Sequence, residues 1–155
     1  MNSLIVLFSY HHHNTEKIAK VFAKVLDAKI VNPLETMPSE AQKYDLVGFG
    51  SGIDSDKHYK PLLDFVDKLP KVTEKNAFIF STSGIPFAEI SYMPKCHALL
   101  KKKLISKGYL VVDEFICRGF NTNVFLKYIG GLNKGHPNEI DLENAKTFAQ
   151  NLKKS

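Results

Sequence analysis

Hydrophobic and polar positions alternate along this chain in two distinct rhythms. SLIVLF (Ser3–Phe8) is a nearly continuous apolar run of strand length, as expected for a strand buried on both faces. Ile18, Val21, Phe22, Val25 and Leu26 then recur at three- and four-residue spacing with lysines between them, which predicts an amphipathic helix. A short AKIVN (Ala28–Asn32) predicts a second strand, and Pro33 and Pro38 break the chain after it. DLVGFG (Asp45–Gly50) predicts a third. A helix is then predicted to begin near Lys57, burying Leu62, Leu63, Phe65, Val66 and Leu69 and closed by Pro70. AFIFS (Ala77–Ser81) and YLVVDEFIC (Tyr109–Cys117) predict two more strands, separated by a helix over Cys96–Ser106 that Gly108 ends. A last helix is predicted from about Asn138 to Leu152, with Ala145, Phe148, Ala149 and Leu152 turned inward.

Strands alternating with helices at this spacing imply right-handed crossovers and a parallel sheet. The expected fold is therefore a single α/β domain over residues 1–155, a three-layer doubly wound five-stranded parallel sheet. The segment Arg118–Pro137 lacks periodicity, yet Phe120, Phe125, Tyr128 and Ile129 make it too apolar for a disordered tail. It is expected to be ordered, with a short helix over Val124–Ile129 ended by Gly130 and Gly131, near a ligand site or a partner surface.

Charge and cysteine usage narrow the class. The net charge is +5, but Arg118 is the only arginine and the lysines are scattered, with short clusters at Lys101–Lys103 and Lys153–Lys154. Nucleic-acid readers concentrate arginine on one face, so no nucleic-acid partner is expected. The lysines read as solvated helix faces or as a docking surface for an acidic partner. No apolar stretch approaches the ~20 residues of a membrane span, so no membrane insertion is expected. Asn2 and Ser3 make a poor secretory start, which points to the cytoplasm. Cys96 and Cys117 form no CxxC or CxxxC spacing and are expected to be reduced and partly buried.

In a doubly wound sheet, ligands bind beyond the carboxyl ends of the strands. The segments that follow the strands here are SYHHHNT, GSGIDSDKHY and STSGIPFAEISY, rich in Ser, Thr, Gly and Asn. Such residues offer hydroxyls and close backbone approach, which suit a phosphate and a planar heterocycle. The first segment enters a helix, whose unsatisfied N–H groups and dipole attract an anion. Ser9, Asn14 and Thr15 flank the turn. Asn14 suits the cap position with Thr15 first in the helix, so capping and phosphate binding both remain open for the pair. His11, His12 and His13 are neighbours in an extended loop and point apart, with no Cys, Asp or Glu beside them, so no metal site is expected. No Walker motif, GxGxxG, HExxH or local Ser–His–Asp pattern is present, and no catalytic residue is assigned.

The segment S-x-H-H-x-N-T after the first strand resembles the phosphate loop of flavodoxins, which bind FMN. GFGSGI resembles their middle flavin loop and FSTSG their third, and the tail GFNT…IGGLNKGHPNEIDLENAKTFAQ is similar to that of short microbial members. The resemblance covers essentially the whole chain. It implies a flavodoxin-like strand order of 2-1-3-4-5. It also implies that Ser9, His11, His12, His13, Asn14 and Thr15 wrap the FMN phosphate. Ser51, Gly52, Ile53, Asp54 and Ser55 would line one side of the flavin ring, and Ser81, Thr82, Ser83 and Gly84 would approach its pyrimidine edge. Two departures stand out: the chain has no Trp to stack on the ring, and it is net basic where many flavodoxins are acidic. Ile53, Tyr59, Phe87 and Tyr92 are the remaining candidates for contact with the ring. Asp54 and Asp56 are expected at the ring edge, where Lys57 and His58 stand ready to offset their charge. Gly52 is expected to allow a peptide to turn toward the flavin.

The function this implies is non-covalent FMN binding and electron transfer between cytoplasmic redox partner proteins. An FMN-dependent NAD(P)H:quinone or acceptor oxidoreductase is the alternative within the enzymes. A flavin-free binding or metal-carrying domain is the alternative outside them. The oligomeric state stays open.

Overall fold

The computed structural model describes residues 1–9, 13–84, 91–119 and 134–155. In chain order the elements are β1 (Ser3–Phe8), α1 (Asn14–Leu26), β2 (Lys29–Val31), a 3-10 helix (Pro38–Lys43), β3 (Leu46–Asp54), β4 (Lys57–His58), α2 (Lys60–Asp67), β5 (Lys75–Ser83), α3 (Met93–Ser106), β6 (Tyr109–Arg118) and α4 (Glu139–Lys154). The long strands run parallel in the order β2-β1-β3-β5-β6. With the short β4 set aside, this is the expected 2-1-3-4-5 sheet. His11, His12, Phe87 and the short helix expected over Val124–Ile129 lie outside the described residues.

Successive residues of a strand face opposite sides of the sheet, and each side here has its own core. Leu4, Val6, Val47, Phe49 and Ile79 pack against Leu62, Val66 and Leu69 of the α2 segment and Leu100 and Leu104 of α3. Ile5, Leu7, Phe78 and Phe80 pack against Ile18, Phe22 and Leu26 of α1 and Ala145, Ala149 and Leu152 of α4. The Phe22 ring meets Phe78 and Phe80 edge-on, with centroids 5.6 and 5.1 Å apart. Both rings find room because β3 carries glycine opposite each: a Cβ on Gly48 or Gly50 would fall inside the ring of Phe78 or Phe80. Volume given up on one strand is filled from its neighbour.

The helix expected near Lys57 begins three residues later. Ser55 and Asp56 both take positive φ, 51° and 61°, as the centre of a two-residue hairpin turn requires. The chain therefore doubles back, pairing Ile53 with His58 and Asp54 with Lys57, before α2 starts. Asp-Ser-Asp lacks the Asn-Gly or Asp-Gly signature of such turns, so the sequence hid the hairpin. α3 starts at Met93 rather than Cys96, with Pro94 in its first turn where no N–H is needed. α4 starts as expected, and Asn138 and Asp141 form a reciprocal capping box. Cys96 and Cys117 are free and more completely buried than expected, 1% and 6% exposed. Burial pushes the Cys96 thiol up to about 11, so it stays protonated. Among the described residues, no helix is long and apolar enough to cross a membrane.

Gly48→Ala is expected to destabilise the fold by about 1–3 kcal/mol, because the added methyl overlaps a fully buried ring. For a domain of this size, thermal unfolding should show a fall in Tm of about 2–4 °C per kcal/mol.

Candidate functional site

The sheet order reverses direction between β1 and β3. β1 leads into α1 on one face and β3 leads into α2 on the other, so a crevice opens at their carboxyl ends. The three Ser/Gly-rich segments identified from the sequence all end there.

At the first segment, His13 takes a left-handed conformation (φ 51°, ψ 36°) and is itself the N-cap of α1. Asn14, expected as the cap, is the first helical residue instead. Its side chain lies against Gly119, where a Cβ would come within 2.8 Å of Asn14 Nδ2. As N-cap, His13 makes no capping side-chain hydrogen bond, and a residue before it covers the first turn instead. The Ser9 hydroxyl accepts the Glu16 N–H at 3.3 Å. The exposed His13 ring turns away, its Nδ1 3.0 Å from the Glu16 carboxylate. Thr15 is buried, and its hydroxyl lies 2.8 Å from that of Thr82 on β5.

At the second segment, the Ser51 hydroxyl is fully buried. It donates to the Gly52 carbonyl at 2.7 Å and accepts the Tyr59 N–H at 3.1 Å, which fixes the start of α2. Gly52 lies in the β3 ladder opposite Thr82 and has no positive φ. Glycine also has a steric role there: a Cβ would stand 2.7 Å from the Tyr59 ring. That ring also packs edge-on against Phe8, with centroids 5.8 Å apart. Ile53 is half-buried, while Asp54 and Ser55 are exposed on the hairpin. Asp56 accepts a short hydrogen bond from the Tyr92 hydroxyl and pairs with Lys95 at 3.0 Å. These partners hold its carboxyl below the usual range, Tyr92 contributing most. The hairpin is thereby latched to the start of α3.

At the third segment, Ser81, Thr82 and Ser83 are all buried and Gly84 half-buried. Ser83 accepts the Gly119 N–H through its carbonyl at 2.9 Å, which brings the end of β6 beside the end of β5. The Ser81 hydroxyl lies 2.6 Å from Nε2 of His97. His97 on α3 and His58 on β4 are both buried, their ring centroids 5.0 Å apart, and Glu114 of β6 stands 3.6 Å from His97 Nδ1. His58 Nε2 donates to the Phe80 carbonyl at 3.1 Å. Burial, with the neighbouring ring, pushes His58 down to about 3, and burial lowers His97 too. His58 is therefore neutral and cannot offset the hairpin aspartates as expected. Sequence reasoning missed this cluster because its members come from four separate elements, with no local spacing to reveal them.

The described residues thus bring together Ser9, His13, Asn14, Thr15, Ser51, Gly52, Ile53, Asp54, Ser55, Ser81, Thr82, Ser83 and Gly84 at one edge of the sheet. The hydroxyls of Ser51, Ser81 and Thr82 are engaged with protein partners, so these positions present mainly backbone to the crevice. A helix start whose N-cap side chain makes no capping hydrogen bond, beside close-packed backbone and small residues, fits a phosphate with an attached planar ring.

A doubly wound parallel sheet with such a crevice at its switch point is an open α/β architecture of which flavodoxin is itself a standard example. The chain belongs to the flavodoxin family: the flavodoxin domain matches residues 5–128. It is 48% identical to an uncharacterized protein of Methanocaldococcus jannaschii, over the full length of both chains. Its fold is similar to oxidised flavodoxin 1 from Bacillus cereus, with a TM-score of 0.71 at 21% identity, covering 99% of this chain and 98% of that one. A flavodoxin from the domain Archaea has a TM-score of 0.63 at 14% identity, covering 98% and 96%.

Two predictions follow from the latch and the buried rings. His58 and His97 are neutral when folded and ordinary when unfolded, so below about pH 6.5 the unfolded chain binds more protons. Stability should be full above pH 7 and fall as the pH drops below 6.5, by up to about 1.4 kcal/mol per pH unit for His58. Urea unfolding at pH 7, 6 and 5 should show this, and His58→Gln should flatten it. The lowered carboxylates act only further down, below about 4.5. Asp56→Ala should leave global stability nearly unchanged, because the pair is exposed. Hydrogen exchange at residues 53–58 should nevertheless quicken.

Proposed function

We propose that this chain binds FMN non-covalently at the β1/β3 crevice and transfers electrons between redox partner proteins. The observation that carries this reading is the start of α1, a long helix whose N-cap residue His13 makes no capping side-chain hydrogen bond, at the switch point of a flavodoxin-family sheet. Bound there, FMN would supply reversible one- and two-electron chemistry.

On this reading the chain's own residues divide the work. The α1 start, with Ser9, Asn14 and Thr15 and the histidine-bearing loop, holds the phosphate through backbone amides and the helix dipole. The end of β3 and the latched hairpin, with Gly52, Ile53, Asp54 and Ser55, form one wall for the ring. The end of β5, from Ser81 to Gly84, forms another. Among the described residues, no exposed nucleophile or acid–base pair accompanies these walls, which favours a carrier over a substrate-transforming oxidoreductase.

Adding FMN and riboflavin separately to FMN-free protein tests the reading. FMN should bind at least tenfold more tightly, because charge-assisted hydrogen bonds to the phosphate are worth about 1.5–3 kcal/mol each. Inorganic phosphate should compete with FMN and leave riboflavin unaffected. Equal affinities, or no uptake of either, would overturn it. Steady NAD(P)H turnover with a quinone would favour the oxidoreductase.

A further inference from the structure

A hydrogen bond between two hydroxyls has a direction, and at the start of α1 that direction decides what a ligand meets. The Thr15 and Thr82 side chains are buried, 2% and 4% exposed, with their hydroxyl oxygens 2.8 Å apart. Each hydroxyl carries one proton, so one of the pair donates and the other keeps a proton that their bond does not use. Among the described residues, no third group accepts that proton. Ser9 shows the same arrangement with its direction fixed. Its hydroxyl oxygen takes the Glu16 N–H, which can only donate, so that bond leaves the Ser9 proton unused.

We propose that Thr82 donates to Thr15 and thereby leaves the Thr15 proton for the phosphate of the ligand, which makes Thr82 a positioning residue for phosphate specificity rather than a contact of the flavin ring. The inference rests on the FMN reading and deepens it.

The placement of the two residues sets the direction. Thr15 is the second residue of α1, in the turn whose backbone N–H groups have no intrahelical acceptors. An anion bound there brings acceptor oxygens to a place otherwise furnished with donors. Thr82 lies one residue inside the end of β5, laddered between Gly52 of β3 and Cys117 of β6. A hydroxyl that accepts a hydrogen bond becomes a stronger donor, so Thr82 strengthens the bond from Thr15 to the phosphate without touching the phosphate itself. The opposite direction would leave the spare proton on Thr82, at the wall expected to face the ring. No covalent bond changes in either case; the two arrangements differ only in how the hydroxyls are turned.

Fluorescence titration of FMN-free protein with FMN and with riboflavin tests this in wild type, Thr82→Val, Thr82→Ser and Thr15→Val. Thr82→Val keeps the branched shape and loses the hydroxyl. It should weaken FMN about threefold to tenfold, the worth of one neutral hydrogen bond, and leave riboflavin unchanged. Thr82→Ser should restore the wild-type ratio of the two affinities, and Thr15→Val should lose at least as much FMN affinity as Thr82→Val. Equal weakening of FMN and riboflavin in Thr82→Val would put the spare proton at the ring and overturn the proposal. Unchanged affinity for both would do the same. Wild type alone provides a second readout, which decides the matter if Thr82→Val does not fold. In the NMR spectrum of FMN-loaded protein the Thr15 hydroxyl proton should couple to phosphorus. A Thr82 hydroxyl coupled to phosphorus, or a Thr15 hydroxyl observed without coupling, would count against the proposal. Wild type with no preference for FMN overturns the flavin reading itself, whereas the proposal alone fails if that preference is intact and Thr82→Val keeps it.

Discussion

A buried hydroxyl costs free energy unless it finds a hydrogen-bond partner, and that cost organises the carboxyl edge of this sheet. β3 and β5 end in small polar residues beneath the surface, and the hydroxyls of Ser51, Ser81 and Thr82 reach three different helices. Ser51 accepts the Tyr59 N–H and sets where α2 begins. Ser81 meets His97 and ties down α3. Thr82 meets Thr15 and ties down the start of α1. The polar strand ends, which from composition alone suggest ligand-facing side chains, first hold the helices that frame the crevice.

This division explains what was legible in the sequence. The strands were readable because a parallel sheet covered on both faces needs continuous apolar runs, and SLIVLF and AFIFS supply them. The sheet order followed from the family resemblance, and the observed topology bears it out. The hairpin at Ser55 and Asp56 was not readable, since two consecutive left-handed residues are usually announced by glycine or asparagine. The cap of α1 was misplaced by one residue for a related reason. His13 takes the left-handed position, and no side chain of the preferred capping type occupies the N-cap.

The His58–His97–Glu114 cluster escaped for a different reason. Periodicity assigns residues to faces, and His97 does fall on the buried face of α3. What it cannot show is that the same face meets a strand end carrying Ser81 and an outer strand carrying Glu114. Burying an imidazole in an apolar layer without partners is costly, and here each ring has at least one polar contact. The pair therefore occupies a polar pocket within a layer that is otherwise Leu, Val and Phe.

The charge around the crevice is mostly settled internally. Asp56 is held by Tyr92 and Lys95, His13 by Glu16, and the buried imidazoles are neutral. The helix start adds a fixed polarity that belongs to the backbone rather than to any one side chain. A net charge of +5 carried mostly by dispersed lysines therefore acts at longer range, on whatever approaches the molecule. Holding a phosphate and attracting a partner thus depend on different parts of the chain. The first is built into the carboxyl edge of the sheet, and the second can vary with surface lysines without disturbing it.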